Sequence, residues 1–235
     1  MLNSRSWRAT LLRVALCLIA TSAAAKDFTL VIDAGHGGRD PGAVGLKAKE
    51  KNINLAVALA FGKLVQQGCP DVKVVYTRSK DVFVTLDGRA DIANKAKADL
   101  FISIHTNALP RGHGRVSGAE TYTLGMHRAE ENLEVAKREN SAILIENDYQ
   151  KRYQGFNPNS SESYIMFELM QDRNMKQSVS FAQGMQAEFR RAGRSDKGVH
   201  QAGFLVLRAT SMPSALIELG YISTPAEETF LSSAE

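Results

Sequence analysis

From Phe28 onward, short runs of β-branched and aliphatic residues alternate with longer runs in which apolar residues recur at helical spacing. This alternation constrains the fold more than any other feature of the chain. It predicts strands at 28–33, 72–77, 100–105 and 119–124, two further strands in FLVLRA and ALIELG, and helices at 50–68, 85–98 and roughly 174–192. Strands joined by helices form parallel pairs with right-handed crossovers, so we expect an α/β domain whose ligands bind beyond the carboxyl ends of the strands.

The first 25 residues have the layout of a secretory signal peptide. Arg5, Arg8 and Arg13 precede the short apolar run VALCLIA, and three alanines ending at Ala25 follow it. We predict a signal peptide at 1–25, cleavage after Ala25, and a catalytic domain over 26–235. The apolar run is too short for a membrane span, so we expect secretion across the inner membrane into the periplasm without a membrane anchor.

The basic charge of the chain is concentrated in this leader. The full sequence has 29 Lys and Arg against 25 Asp and Glu, a net charge of +4. Cleavage would leave 26 basic and 25 acidic residues, so we expect no nucleic-acid partner. It would also remove Cys17 and leave Cys69 alone, which excludes an internal disulfide in the exported protein.

The first candidate metal ligand is a histidine in a glycine-rich turn. Asp33-Ala34-Gly35-His36-Gly37-Gly38 follows the first predicted strand. Glycines on both sides leave the imidazole of His36 accessible, which favours a ligand, although an exposed histidine in a flexible turn is the simpler interpretation.

Two further candidates lie at the same predicted edge of the sheet. Glu50 begins the first helix, where an acid is also commonly found for its interaction with the helix dipole, and His105 ends the third strand. Two imidazoles and one carboxylate match a three-ligand zinc site with an open fourth position. The hypothesis requires the first and third strands to be close in space.

Glu218 is the candidate general acid/base, because it lies within the apolar strand ALIELG. A buried carboxylate must be paired, bound to metal or catalytic, so a salt bridge to a buried arginine is the alternative. Asp33 and Glu120 are rival bases. Asn107 and Arg78 are candidate substrate-binding residues, and Arg89 could also bind a substrate carboxylate.

In this order, VIDAGHGGRDPGA, Glu50, YTR, LDGRADIAN, SIHTNA and IELGYISTPAEE resemble the zinc-dependent N-acetylmuramoyl-L-alanine amidases of the amidase-3 family, cell-division type. The resemblance implies a single domain with a mostly parallel six-stranded sheet flanked by helices. It implies one Zn²⁺ per chain on His36, Glu50 and His105, with Glu218 as acid/base. The implied reaction is hydrolysis of the amide between N-acetylmuramic acid and L-alanine of the peptidoglycan stem peptide, for cell-wall remodelling and daughter-cell separation.

The segment from roughly 127 to 173 resembles the helical regulatory insertion of the cell-division amidases. The resemblance implies that a carboxylate from it blocks the zinc, and Glu139 or Glu146 is the candidate. A LytM-type activator protein would relieve the block. The alternative is a charged surface excursion whose apolar residues are ordinary core. Relatives usually continue into a final helix beyond LSSAE, so we expect a truncated C-terminal helix.

Two other functions compete with the amidase. The first is a catalytically silent peptidoglycan-binding module, which predicts a damaged set of ligands. The second is a zinc carboxypeptidase that cuts within the stem peptide, and only the reaction products distinguish it from an amidase.

Overall fold

The structure, a computed structural model, describes residues 27–110, 115–127, 129–168 and 173–233. The predicted signal peptide and Cys17 lie outside these residues. The strands are β1 (Phe28–Ala34), β2 (Val72–Tyr76), β3 (Leu100–Asn107), β4 (Ala119–Leu124), β5 (Asp196–Ala202) and β6 (Ser214–Tyr221). The helices are α1 (Glu50–Gly68), α2 (Leu86–Lys95), α3 (Glu130–Asn140), α4 (Tyr149–Arg152), α5 (Met175–Arg191), α6 (Leu205–Arg208) and α7 (Pro225–Ser232), with 3-10 turns at Ser141–Ile145 and Ser161–Glu168.

One six-stranded sheet has the order β2-β1-β3-β6-β4-β5. Four of its strand pairs are parallel, and the β4–β6 pair is antiparallel. The predicted fold, an α/β domain with a mostly parallel six-stranded sheet flanked by helices, is therefore confirmed. β1 and β3 are neighbours, as the metal hypothesis requires.

The sheet has an apolar core on each face, because successive strand residues point to opposite sides. Ile32 and Ile102 face the core beneath α1 and α5, whereas Val31 and Phe101 face the core beneath α2 and α6. Cys69 is buried in the first core as a free thiol.

The segment 129–168 covers the second face. Leu133, Ile143, Tyr153, Tyr164 and Phe167 bury their side chains in that core. The segment lies within the predicted insertion, of which residues 128 and 169–172 are outside the described part of the chain. The alternative interpretation, in which Ile143, Leu144 and Ile145 are ordinary core, holds for Ile143 only, because Leu144 and Ile145 are 42% and 41% exposed.

One predicted strand is wrong, and one strand was not predicted. FLVLRA is not a strand: Leu205–Arg208 form the short helix α6. The fifth strand is instead β5, which the sequence analysis missed because it is a half-buried edge strand of mixed polarity. The C-terminal helix α7 was not predicted as an element; its proline stands at the first turn, where a missing N–H costs nothing.

Candidate metal centre and active site

The three predicted ligands come together at the carboxyl ends of β1 and β3. His36 follows β1, Glu50 is the first residue of α1, and His105 lies near the end of β3. Glu50 Oε1 is 3.2 Å from His36 Nε2 and 3.2 Å from His105 Nδ1. All three side chains are buried. The parallel pairing of β1 with β3 is what places the two histidines at one edge.

The turn around His36 allows the side chains of the candidate ligands to approach its backbone closely. His36 has a φ of 60°, in the left-handed region that non-glycine residues rarely adopt. At Gly35, a Cβ atom would lie 2.3 Å from His105 Nε2, and at Gly42 it would lie 2.6 Å from His36 Cδ2. These two glycines are therefore required for the imidazoles and Glu50 to meet.

Arg78 and Arg89 support this turn from below. Arg78 donates to the carbonyls of Ala34 (2.8 Å), Gly35 (2.9 Å), Lys51 (2.8 Å) and Lys80 (3.2 Å). Its guanidinium is buried and engaged with backbone oxygens, so the prediction that Arg78 binds substrate is replaced by a supporting role.

The same correction applies to Arg89, the other candidate for a substrate carboxylate. Arg89 donates to the carbonyls of Ala34 (2.7 Å) and His36 (2.9 Å), and it pairs with Asp33 at 2.7 Å. Asp33 also accepts from Thr77 and Ser103. Because its oxygens are fully engaged, Asp33 is a structural carboxylate rather than a rival base.

Hydrogen bonds from neighbouring groups orient the three ligands. His36 Nδ1 is 2.8 Å from Asp40 Oδ2, which leaves Nε2 facing the centre. Glu50 Oε1 accepts from Asn54 Nδ2 (3.1 Å) and the Thr106 N–H (3.0 Å), and its Oε2 accepts from the Ala43 N–H (2.8 Å). Asp40 and Asn54 were not predicted from the sequence. Each follows a predicted ligand, His36 or Glu50, by four residues, and this spacing could have indicated them.

A fourth candidate ligand comes from α3. Glu139 Oε2 lies 3.0 Å from His36 Nε2 and 2.9 Å from His105 Nδ1. Within the described chain, His36, Glu50, His105 and Glu139 each offer one ligand atom, and these atoms lie within 4.8 Å of one another. Of the two candidates for blocking the metal, the structure thus brings Glu139 to the centre.

The donor set fits a zinc ion. His36 Nε2 and Glu139 Oε2 are buried and lie 3.0 Å apart, and neither has a further hydrogen-bond partner among the described residues. Two imidazoles and two carboxylates this close together in a buried site need positive charge between them, and a shared cation supplies it. Nitrogen and carboxylate ligands in a group of three or four are typical of zinc.

The close packing of histidines and carboxylates also shifts the pKa values of these groups. Burial opposes the charged form of each histidine, but nearby carboxylates outweigh it. Glu50 raises the pKa of His36 well above its ordinary value, and Glu139 raises the pKa of His105 to about 9. Burial likewise disfavours ionised Glu50, yet the histidines hold its pKa well below the usual range. A cation bound here would take the place of these protons.

Glu218 lies on β6 beside the metal ligands, paired in register with His105. Its side chain is 1% exposed, and Oε2 has no hydrogen-bond partner in the described part of the chain. Burial, followed by the charge of Glu139, raises its pKa well above that of an ordinary glutamate. Arg138 Nη2 is 3.5 Å from Glu218 Oε1, so the arginine that the alternative interpretation invoked is present and comes from α3. Arg138 was not identified from the sequence.

Glu146 lies elsewhere, which corrects its candidacy for the blocking role. Its Oε1 accepts from the Leu86 N–H at 2.9 Å, and both oxygens accept from the Tyr153 hydroxyl. Glu146 therefore caps the amino end of α2, where a carboxylate satisfies free N–H groups. The 3-10 turn that follows α3 redirects the chain between Glu139 and Glu146.

The remaining candidates, Asn107 and Glu120, contact each other. Asn107 Nδ2 donates to Glu120 Oε1 at 2.6 Å, and Glu120 also accepts from the hydroxyls of Tyr122 and Tyr221. With both oxygens engaged, Glu120 is not placed as a base. An open cleft of about 250 Å³, lined by His36, Arg39, Glu50, Arg138 and Glu139 among others, leads to the centre.

The chain is similar to known proteins over most of its length. Residues 30–235 match the family described as N-acetylmuramoyl-L-alanine amidase. The chain is 32% identical to the amidase AmiC of Escherichia coli O6:H1 over 216 residues, which cover 89% of this chain and 49% of AmiC. It is 31% identical to AmiA of Escherichia coli K12, covering 87% of this chain and 69% of AmiA. The chain thus spans about half the length of AmiC.

Solved structures agree. The catalytic domain of CwlV, an N-acetylmuramoyl-L-alanine amidase from Bacillus (Paenibacillus) polymyxa var. colistinus, is 31% identical with a TM-score of 0.55, over 87% of this chain and 86% of that one. AmiC2 of Nostoc punctiforme is 28% identical with a TM-score of 0.56, over 89% and 88% of the two chains. This chain therefore belongs to the N-acetylmuramoyl-L-alanine amidases, a family of hydrolases.

Proposed function

We propose that this chain hydrolyses the amide bond between the lactyl group of N-acetylmuramic acid and L-alanine of the peptidoglycan stem peptide. The observation that carries the proposal is the convergence of His36, Glu50 and His105 beside the buried carboxylate of Glu218. Metal-assisted amide hydrolases use such a set of groups: imidazoles and a carboxylate that can hold a metal ion, and an acid/base beside them.

His36, Glu50 and His105 would hold one Zn²⁺. When bound, zinc supplies a Lewis acid that polarises a carbonyl and makes water nucleophilic near neutral pH. The protein holds the three side chains in place through Asp40, Asn54 and backbone groups, so the ligands need little reorganisation.

Glu218 would move the proton. As the attacking water adds to the lactyl carbonyl carbon, Glu218 accepts a proton, and it returns that proton to the nitrogen as the C–N bond breaks. Burial raises the pKa of Glu218, which makes its ionised carboxylate a stronger base for the proton of the attacking water than an exposed glutamate would be. The products are a free lactyl carboxylate and a stem peptide with a free L-alanine amino group.

The described conformation would be an inhibited one. A catalytic zinc site keeps one position open, whereas Glu139 Oε2 stands about as close to both histidines as Glu50 does. Arg138 from the same helix contacts Glu218. Displacement of α3 would free both groups at once, and a LytM-type activator protein would supply the binding energy for it.

The protein would act on the wall in the periplasm, in remodelling and daughter-cell separation, after export by residues 1–25. Within the described residues, no helix has the length and apolar character of a membrane span. The intact set of ligands and Glu218 argues against a catalytically silent binding module.

The proposal is tested by mass spectrometry of purified sacculi digested with the full chain. We expect release of stem peptides with free L-alanine amino termini, loss of that release with a chelator, and recovery on addition of zinc. Release of a terminal D-alanine instead would support the carboxypeptidase. Release that persists after the metal is removed would contradict zinc dependence.

A further inference from the structure

One polar atom beside the active site is unused by the mechanism described so far. Asn107 is 1% exposed, and its Oδ1 is buried without a hydrogen-bond partner among the described residues. An unmatched buried acceptor is unfavourable, so such groups are expected where a ligand supplies the missing donor.

The sheet order shows where this atom lies. Asn107 is on β3 and Glu120 is on β4, and β6 runs between those strands. The 2.6 Å hydrogen bond from Asn107 to Glu120 therefore crosses over β6. The residue of β6 opposite both His105 and Glu120 is Glu218, so the hydrogen bond from Asn107 to Glu120 spans the strand that carries the proposed acid/base.

Glu120 determines which way the amide faces. A carboxylate accepts hydrogen bonds only, so it selects Nδ2 of Asn107 and turns Oδ1 away. The hydroxyls of Tyr122 (3.0 Å) and Tyr221 (3.0 Å) donate to Glu120 and hold the carboxylate itself. The network fixes the orientation of Asn107 Oδ1 on β3, the strand that neighbours the strand of Glu218.

We propose that Asn107 Oδ1 accepts a hydrogen bond from the N–H of the scissile amide, and that Glu120 is the positioning residue that orients Asn107 for this contact. The inference rests on the proposed function. Asn107 would recognise the nitrogen side of the scissile bond through its N–H group. An ester at the same position has no N–H and cannot donate this hydrogen bond. The contact places the leaving nitrogen near Glu218, which must protonate it.

The test compares two synthetic substrates, a muramoyl-L-alanyl peptide and its ester analogue, in which oxygen replaces the alanine N–H. Both are cleaved by the zinc-loaded full chain carrying Glu139→Ala, with and without Asn107→Leu. We expect Asn107→Leu to lower kcat/KM for the amide about tenfold and for the ester less than about twofold, because only the amide loses a hydrogen bond. Equal losses on both substrates would overturn the inference.

Glu120→Gln provides the second arm, for use also if Asn107→Leu does not fold. Glutamine keeps the size of the side chain but no longer selects Nδ2, so the amide-to-ester ratio of kcat/KM should fall about threefold, mainly through kcat. Glu120→Asp, which keeps the charge, should restore part of the ratio. An unchanged ratio in Glu120→Gln would remove the positioning role.

Thr123→Val is the matched control. Thr123 is a buried residue of β4 whose Oγ1 also lacks a partner, but it follows Tyr122 by one residue and so points to the opposite side of the strand from it. We expect neither substrate to be affected. If the zinc-loaded Glu139→Ala protein cleaves neither substrate, the proposed function fails. If it cleaves both substrates and Asn107→Leu leaves the amide-to-ester ratio of kcat/KM unchanged, only the inference about Asn107 fails.

Discussion

Two regions meet at the metal centre, and they are held in place in different ways. The turn of residues 34–50 is tied to the sheet by the buried guanidinium groups of Arg78 and Arg89, which bind its backbone oxygens. The helix α3 reaches the same centre through Glu139 and Arg138, whose polar contacts are with the active-site side chains and the Ala108 carbonyl. The first region needs no part of α3 for its geometry.

The proposed autoinhibition depends on this difference, because it requires a site that is fixed to the sheet and a segment that can be displaced from it, residues 129–168, here called the cover. Asn140 anchors the end of α3 by donating to the Gly203 carbonyl and accepting from the Leu205 N–H. Beyond it, Leu144 and Ile145 are more than 40% exposed. The side chains that support His36, Glu50 and His105, such as Asn54 and Arg89, lie outside this segment, so its displacement would leave those supports in place. The following predictions test this contrast.

The largest effect is expected from Glu218→Gln. Loss of a general acid/base should lower kcat by about 10³-fold, while zinc binding remains stoichiometric, because the metal ligands are on other residues. Turnover on purified sacculi and metal content together check the prediction. Activity close to that of the wild type would remove Glu218 from its assigned role.

Arg89→Leu should destabilise the protein at the turn of residues 34–50. It leaves the buried Asp33 carboxylate without its ion pair, so we expect the free energy of unfolding to fall by about 3 kcal/mol, together with weaker zinc binding. Denaturant titration with and without zinc measures both. The control is Arg152→Leu on the cover, a half-exposed residue, which should change stability by less than about 1 kcal/mol. Similar losses in the two variants would contradict the contrast.

Glu139→Ala tests the other region, the helix α3. Removal of the fourth carboxylate should raise basal hydrolysis about tenfold or more, because the proposed block is lost while the three other ligands keep their supports. Glu134→Ala, an exposed glutamate on the same helix, is the control. A basal rate that stays low in Glu139→Ala, with zinc bound, would contradict autoinhibition by this residue.

The smallest effect is expected from Glu146→Gln. The carboxylate caps α2 rather than the metal, so we expect a loss of about 1 kcal/mol in stability and no change in basal turnover per folded molecule. Thermal unfolding and the sacculus assay provide the two measurements. A rise in basal turnover would return Glu146 to the blocking role that we propose for Glu139.

Much of the fold was predictable because its central strands are strongly apolar. β1, β3 and β6 are buried on both faces, so their sequences read as strands directly. FLVLRA was misread because periodicity in a run of six apolar and basic residues does not distinguish a strand from a turn of buried helix. β5 was missed for the opposite reason, since an edge strand with polar residues and one glycine has little apolar signal.

By itself the sequence determined the chemistry that is available. A histidine among glycines, an acid at a helix start, a histidine at a strand end and a glutamate in an apolar strand are local features. Only the tertiary structure decided which groups meet. Strand order placed His36 beside His105, packing of α3 selected Glu139 over Glu146, and burial assigned Arg78 to the backbone rather than to substrate. The physical reason is that contacts between residues far apart in sequence depend on strand order and packing, which no local pattern encodes.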